Sequence, residues 1–373
     1  MANVNVVPKS QIEAMQTVPP YKVTHPRQIL KVSSEDSIGS SIFKAAVNII
    51  LFCDKEADAD DDSGWHVAGW IKESLGRALK DEPLLSGRLR RGEDGHGDLE
   101  IVSNDSGARL FEATIPITLL DFLALEDVEM AESQLVFWKD IDELIPQFSP
   151  LFYVQVTNFQ CGGYSIGISC SLLFADVLII DNFLQKWARI HRDIVSETKK
   201  LPTFYLPKLK APSVNLNSLF PSTTRERLNQ TVIYKISSTS EMVDSKENVA
   251  LVCLEKTEKQ LGAGNNKTSS EFALLVKESP KVMRAQNWKK EEIGKSDTEN
   301  DGVIILKTSY LNDYMRINDV SFREGSKPAM VSYWIGTENG AVQTIAIPSY
   351  DKLGDPSHLN VIVTIPYENE IVN

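Results

Sequence analysis

The chain has 373 residues, enough for two domains or one large one, and 42% of them are hydrophobic, which excludes an intrinsically disordered protein. Its formal net charge of -12 excludes the basic footprint that nucleic acid or an anionic membrane would require. No apolar run approaches the ~20 residues of a membrane span, Met1 to Thr17 has no apolar secretory segment, and Cys53, Cys161, Cys170 and Cys253 form neither a disulfide framework nor a Cys-x-x-Cys zinc pair.

In chain order, Asp58 to Asp62 reads as an acidic, solvated loop. Ser63 is placed to cap a helix whose apolar stripe is Val67, Trp70, Ile71, Leu75, Ala78 and Leu79. Pro83 ends that helix, and an extended segment follows through Leu89. Gly92 to Gly97 reads as a hairpin turn rather than a phosphate loop, because it does not join a strand to a helix. Phe152, Val154 and Val156 alternate, Gly162-Gly163 supply a turn, and Tyr164, Ile166, Ile168, Cys170 and Leu172 alternate again, which predicts a β-hairpin. Val177, Ile180, Leu184, Trp187 and Ala188 then predict one amphipathic helix.

From about Glu197 to Thr223 prolines and lysines predict a crossover without regular structure. The second half is strand-rich, with strands expected at Val303 to Leu306, Ala329 to Ile335, Ala341 to Ile347 and Leu359 to Ile365. Asn339-Gly340 signals a hairpin between two of them. Lys289 to Asp301 is charged and poor in apolar residues, so a mobile loop is expected there. The domain reading is 1–196, a crossover at 197–223, and a shortened second domain at 224–373.

Several segments match a known family in order. Pro83-Leu84-Leu85-Ser86-Gly87-Arg88-Leu89 is similar to "P-L-A-G-R-L", and Leu99 to Ala113 is similar to "L-E-I-x-C-N-x-x-G-x-x-F-x-E-A". The hairpin with Gln155-Val156-Thr157 and the Trp187-Ala188 helix follow. The whole resembles the plant BAHD acyltransferases, with near-complete coverage of the N-terminal half. That resemblance implies a two-domain α/β fold of chloramphenicol-acetyltransferase type, each domain a mixed β-sheet with flanking helices.

The family's His-x-x-x-Asp-Gly motif falls on Leu172, Asp176 and Val177, with Ser171 beside the lost histidine. In the family the histidine deprotonates an alcohol or amine that then attacks an acyl-CoA thioester. Leucine has no lone pair to accept that proton. The second signature, Asp-Phe-Gly-Trp-Gly then Lys-Pro, is replaced by Ser321-Phe322-Arg323-Glu324-Gly325-Ser326-Lys327-Pro328. Phe322 and Gly325 survive. Glu324 stands where a tryptophan is implied to help stabilise the oxyanion, and a carboxylate would oppose that charge. The "G-N" and "N-x-R" stretches that help to form the family's channel have no match here, and the chain is shorter between Thr231 and Asp301.

Leu172 is expected at the domain interface, facing the cavity where the histidine would sit. Asp176 is implied to be structural, turned toward a buried arginine, and on its own residue type reads as a helix N-cap or ion-pair partner. Cys170 falls on the apolar strand face and reads as a core cysteine. Of His25, His66, His96, His191 and His358 none precedes an Asp by four, and His66 and His191 are expected at the surface. No catalytic residue or metal ligand is assigned. Two functions remain open. One is an acyl-CoA-dependent transferase of plant specialised or lipid metabolism, weakened or altered in mechanism, with acyl-CoA as co-substrate and no resident cofactor. The other is a non-catalytic relative that binds a metabolite or serves a partner enzyme, as some BAHD relatives of the wax pathway are implied to do. A cytoplasmic monomer is expected in either case.

Overall fold

The computed structural model describes residues 8–55, 64–92, 98–197, 215–237, 246–261, 270–293, 303–315, 319–338, 341–350 and 356–366. The acidic loop at 58–62, Ser63, most of the Gly92 to Gly97 turn, Asn339-Gly340 and most of the crossover lie outside them.

The first-half strands are β1 (Gln11–Val18), β2 (Ile29–Ser34), β3 (Ala46–Cys53), β4 (Arg88–Arg91), β5 (Leu99–Val102), β6 (Ala108–Ile115), β7 (Phe152–Phe159) and β8 (Tyr164–Ser171). The second half supplies β9 (Asn229–Ser237), β10 (Glu271–Ser279), β11 (Val282–Lys289), β12 (Ile305–Tyr310), β13 (Met330–Gly336), β14 (Gln343–Tyr350) and β15 (Pro356–Pro366). Among the described residues they form a six-stranded sheet, β1-β6-β7-β8-β3-β13, and a nine-stranded sheet, β12-β9-β15-β14-β10-β11-β2-β5-β4. Both are mixed: β6–β7, β10–β14 and β11–β2 are parallel and the other pairs antiparallel. Two mixed sheets with flanking helices is the α/β class that the sequence resemblance implies.

The sheets do not follow the halves of the chain. β2, β4 and β5 complete the nine-stranded sheet, and β13 crosses back to pair with β3. This corrects the hairpin expected at Asn339-Gly340. The flanking strands β13 and β14 belong to different sheets, and β14 pairs instead with β15 and β10. An Asn-Gly pair favours a tight turn, but both strands are apolar and largely buried, so pairing is decided by which sheet can cover them.

Where the sheets and helices meet, one large core joins Val47, Ile49, Leu51, Val154, Ile166 and Ile168 of the six-stranded sheet to Ile233, Leu275, Ile345, Ile347 and Ile362 of the other. The Gly64–Asp81 helix buries Val67, Ile71, Leu75, Ala78 and Leu79 into it, along the stripe its sequence shows. A second core lies on the far face of the nine-stranded sheet, under Val249, Ala250, Cys253 and Leu254 of the Lys246–Gln260 helix.

The β7–β8 hairpin forms as expected, with Gly162 at φ +88° in its turn. Beyond it, the single amphipathic helix is interrupted. A π turn covers Asp176–Ile180, Asp181 N–H closes it onto Asp176 O at 2.9 Å, and the helix Phe183–Glu197 starts afresh. The break is at Asn182, φ 55°, whose carbonyl accepts from Gln185 N–H and Lys186 N–H. The crossover also holds regular structure: Leu216–Leu219 is a short helix capped by Asn215. Of the loop expected at Lys289 to Asp301, Lys289 ends β11, Lys290 is ion-paired to Glu258 at 2.7 Å, and residues 294–301 lie outside the described residues.

Candidate active-site remnant

The corner that follows β8 is assembled mainly from backbone bonds. Ser171 N–H donates to Leu151 O at 2.9 Å, and Leu172 N–H donates to Ala45 O at 3.0 Å. Ser171 Oγ accepts from Leu173 N–H at 3.4 Å, which starts a 3₁₀ turn over Leu172–Phe174. Leu172 is 0% exposed and belongs to the core that both sheets feed. Its side chain is packed within that core. A depression nearby is lined by Leu51, Cys53, Phe322, Arg323, Ser326, Lys327 and Pro328.

Asp176 is buried at the start of the π turn and makes no capping bond. Its carboxylate is ion-paired with Lys277 Nζ, from β10 of the other sheet. The expected buried arginine is therefore a lysine, and the N-cap reading does not hold. Arg88, the arginine of the Pro83–Leu89 stretch, is committed elsewhere. Its buried guanidinium donates to the carbonyls of Ser86, Gly87, Ser106 and Gly107 at 2.7–3.3 Å. Burial, with Arg109 nearby, brings it down to about 10.

The cysteine beside the lost base and four of the five histidines lie among the described residues. Cys170 is fully buried, and burial, reinforced by the Asp176 charge, pushes its thiol well above the ordinary value, so thiolate is suppressed. His25 is exposed, His66 is half-buried, His96 lies outside the described residues, and His358 is half-buried on β15 against Ser357 Oγ at 2.9 Å. His191 corrects the sequence expectation, for it is buried. Its Nδ1 lies 3.0 Å from Ser74 Oγ, which also accepts from Trp187 Nε1–H at 3.0 Å and donates to Ile71 O at 3.1 Å. With the hydroxyl proton on Ile71, the imidazole donates from Nδ1 and is neutral. Burial, then Arg192 and Arg323, lower His191 to about 3. Its position four residues after Trp187 and three before Ile194, on the buried stripe, is the sequence signal that could have found it.

The second signature forms a turn. Phe322 is buried edge-on to Trp187 and His191, with ring centroids 4.9 and 5.3 Å away. Ser321 Oγ donates to the carbonyls of Arg323 and Ser326, and Arg192 donates to Ser321 O. Arg323 lies over the Tyr164 ring at 4.8 Å and donates to Asp54 O at 3.0 Å. Gly325, φ +71°, has no neighbour within 4 Å of where a Cβ would stand. Glu324 is exposed. Its carboxylate therefore meets solvent at the turn. The structure thus brings Ser171, Leu172 and Asp176 together, sets Phe322 in the same core through Trp187, and leaves Gly325 apart at the turn. Sequence reasoning missed Lys277, whose only local signal is a lysine closing the apolar run Phe272 to Val276.

A family model described as "Transferase family" matches residues 10–273. The chain belongs to that family, as a divergent member of the plant BAHD acyltransferases. It is 33% identical to Protein ECERIFERUM 26-like of Arabidopsis thaliana over 119 residues, 32% of this chain and 27% of that protein. It is 32% identical to 3'-N-debenzoyl-2'-deoxytaxol N-benzoyltransferase of Taxus canadensis over 144 residues, 39% of this chain and 31% of that one. The matched stretches thus span about a third or less of these relatives' length. Vinorine synthase is a solved structure with 16% identity and a TM-score of 0.47, over 96% of this chain and 95% of that one. No helix among the described residues is long and apolar enough to cross a membrane.

Proposed function

We propose that this chain is a BAHD-type protein in which acyl transfer from acyl-CoA is weak or absent, and that its fold binds a metabolite or serves a partner enzyme. The observation that carries the reading is Leu172, fully buried where the family motif places its base. Transfer requires an acceptor hydroxyl or amine to lose its proton as it attacks the thioester carbonyl, and a positioned base contributes roughly 10²–10⁴-fold. Leu172 accepts no proton. The neighbouring groups are poor bases: Asp176 is ion-paired to Lys277, Cys170 is a buried thiol, and burial lowers His191 to about 3. A bound metabolite or partner asks less of the corner, since it needs shape and surface but no proton transfer.

Native mass spectrometry of the purified chain, alone and with acetyl-, malonyl-, benzoyl-, hydroxycinnamoyl- and long-chain acyl-CoA, tests the binding half of the proposal. Retention of a small molecule, either co-purified or added, is expected. A chain that retains none of them would remove the metabolite-binding reading and leave service to a partner enzyme.

A further inference from the structure

Asp176 has more charged neighbours than Lys277. Asp181 closes the π turn that Asp176 opens. Glu82 follows the Gly64–Asp81 helix and lies 4.0 Å from Lys186 of the Phe183–Glu197 helix. The charges of Asp176, Lys277 and Lys186 act on both Glu82 and Asp181. Three carboxyl groups therefore share one neighbourhood with two ammonium groups, and full ionisation leaves negative charge in excess. The remaining titratable neighbours are the Cys170 thiol of β8 and the Tyr314 phenol of the Leu311–Met315 helix, which feel Asp176 and Asp181 respectively. Both are held protonated by burial and add no charge. Lys277 is the group that reaches across from the nine-stranded sheet.

We propose that Asp176, Asp181, Glu82, Lys186 and Lys277 form a proton-tightened latch between the two sheets, built where the family motif keeps its acid. With Asp181 or Glu82 protonated, two ammonium groups face at most two carboxylates, and Lys277 holds β10 against the Asp176 turn. With both ionised, the unbalanced carboxylate weakens that hold. Burial pushes the Asp181 carboxyl up, and the Asp176 charge adds to it. Burial also raises Glu82, with Lys186 opposing and Asp181 and Asp176 adding. A carboxyl raised in the folded state holds its proton more tightly there than in the unfolded chain. Its stabilisation is complete below the ordinary carboxylate range and is lost as pH rises through the raised value. This trend is opposite to that of a salt-bridged carboxylate, which makes it distinguishable.

Hydrogen exchange of the full chain between about pH 4.5 and 7.5, corrected for intrinsic rates, reads the latch directly. In the wild type, protection of β10 and of residues 172–182 is expected to fall severalfold as pH rises. In the Glu82→Gln/Asp181→Asn double variant, which keeps the shapes and removes the charges, it is expected to stay level. Lys277→Met removes the hold itself, so β10 is expected to be less protected from the lowest pH upward and to lose the wild-type pH dependence. Equal slopes in the wild type and the double variant would overturn the proposal, as would a wild-type slope in Lys277→Met or a change that spares β10.

Discussion

The corner at 171–176 is closed on every side, whereas the turn at 321–328 is anchored at one end and open at the other. In the corner, Leu172 and Asp176 are buried, and each is fixed by a group from elsewhere in the chain, Ala45 O for one and Lys277 for the other. In the turn, Phe322 is held by Trp187 and His191, while Glu324 and Gly325, two and three residues further on, meet solvent. Both segments hold remnants of one family's signatures. The difference teaches that what remains at each is what the core needs. Leucine suits a packed site better than an imidazole would, because it has no polar atoms to satisfy. Phe322 persists as an aromatic anchor, Arg323 is held over Tyr164, and Glu324 and Gly325 are exposed.

Substitutions can break or sharpen that contrast. The largest cost is expected from Phe322→Ala, about 3–5 kcal/mol, and from Leu172→Ala, about 2–5 kcal/mol, as each opens a cavity in the main core. Asp176→Asn comes next, at about 1.5–3 kcal/mol for a charged hydrogen bond lost, offset in part by relief of Asp181 and Glu82. Gly325→Ala is expected to cost about 1–2 kcal/mol, from its positive φ alone, since space is available. Glu324→Gln should fall within about 0.5 kcal/mol of wild type. Denaturant unfolding at fixed pH ranks them. A Glu324 or Gly325 variant costing more than Leu172→Ala would show that the turn, not the corner, is the packed element.

Much of the corner was legible in the sequence because its signals are local. Period-2 alternation and Gly162-Gly163 give the β7–β8 hairpin, although the strand ends at Ser171 and Leu172 opens a 3₁₀ turn instead of continuing it. His191 was also within reach, through its spacing from Trp187. The exchange of β13 and β14 between sheets was not legible, because Asn339-Gly340 specifies a turn and says nothing about which strand each neighbour will join. Lys277 was equally hidden. It stands 101 residues from Asp176, and no local pattern reports that a lysine at the end of a buried strand will find its partner across a sheet boundary. The break at Asn182 failed for another reason. The apolar positions from Val177 to Ala188 fit a helix on both sides, so periodicity alone cannot show that the backbone changes direction between them.

The central claim is that the corner lacks a working base, and release of free CoA tests it most directly. The wild type and Leu172→His would be incubated with the same acyl-CoA panel and with alcohol and amine acceptors, and thiol would be read with DTNB. Little or no release is expected from the wild type. Leu172→His, whose imidazole would enter a packed core, is not expected to restore fast transfer. Wild-type turnover in the usual enzyme range, about 1–10³ s⁻¹, would contradict it and show that the chain carries a base that the Leu172 corner does not reveal.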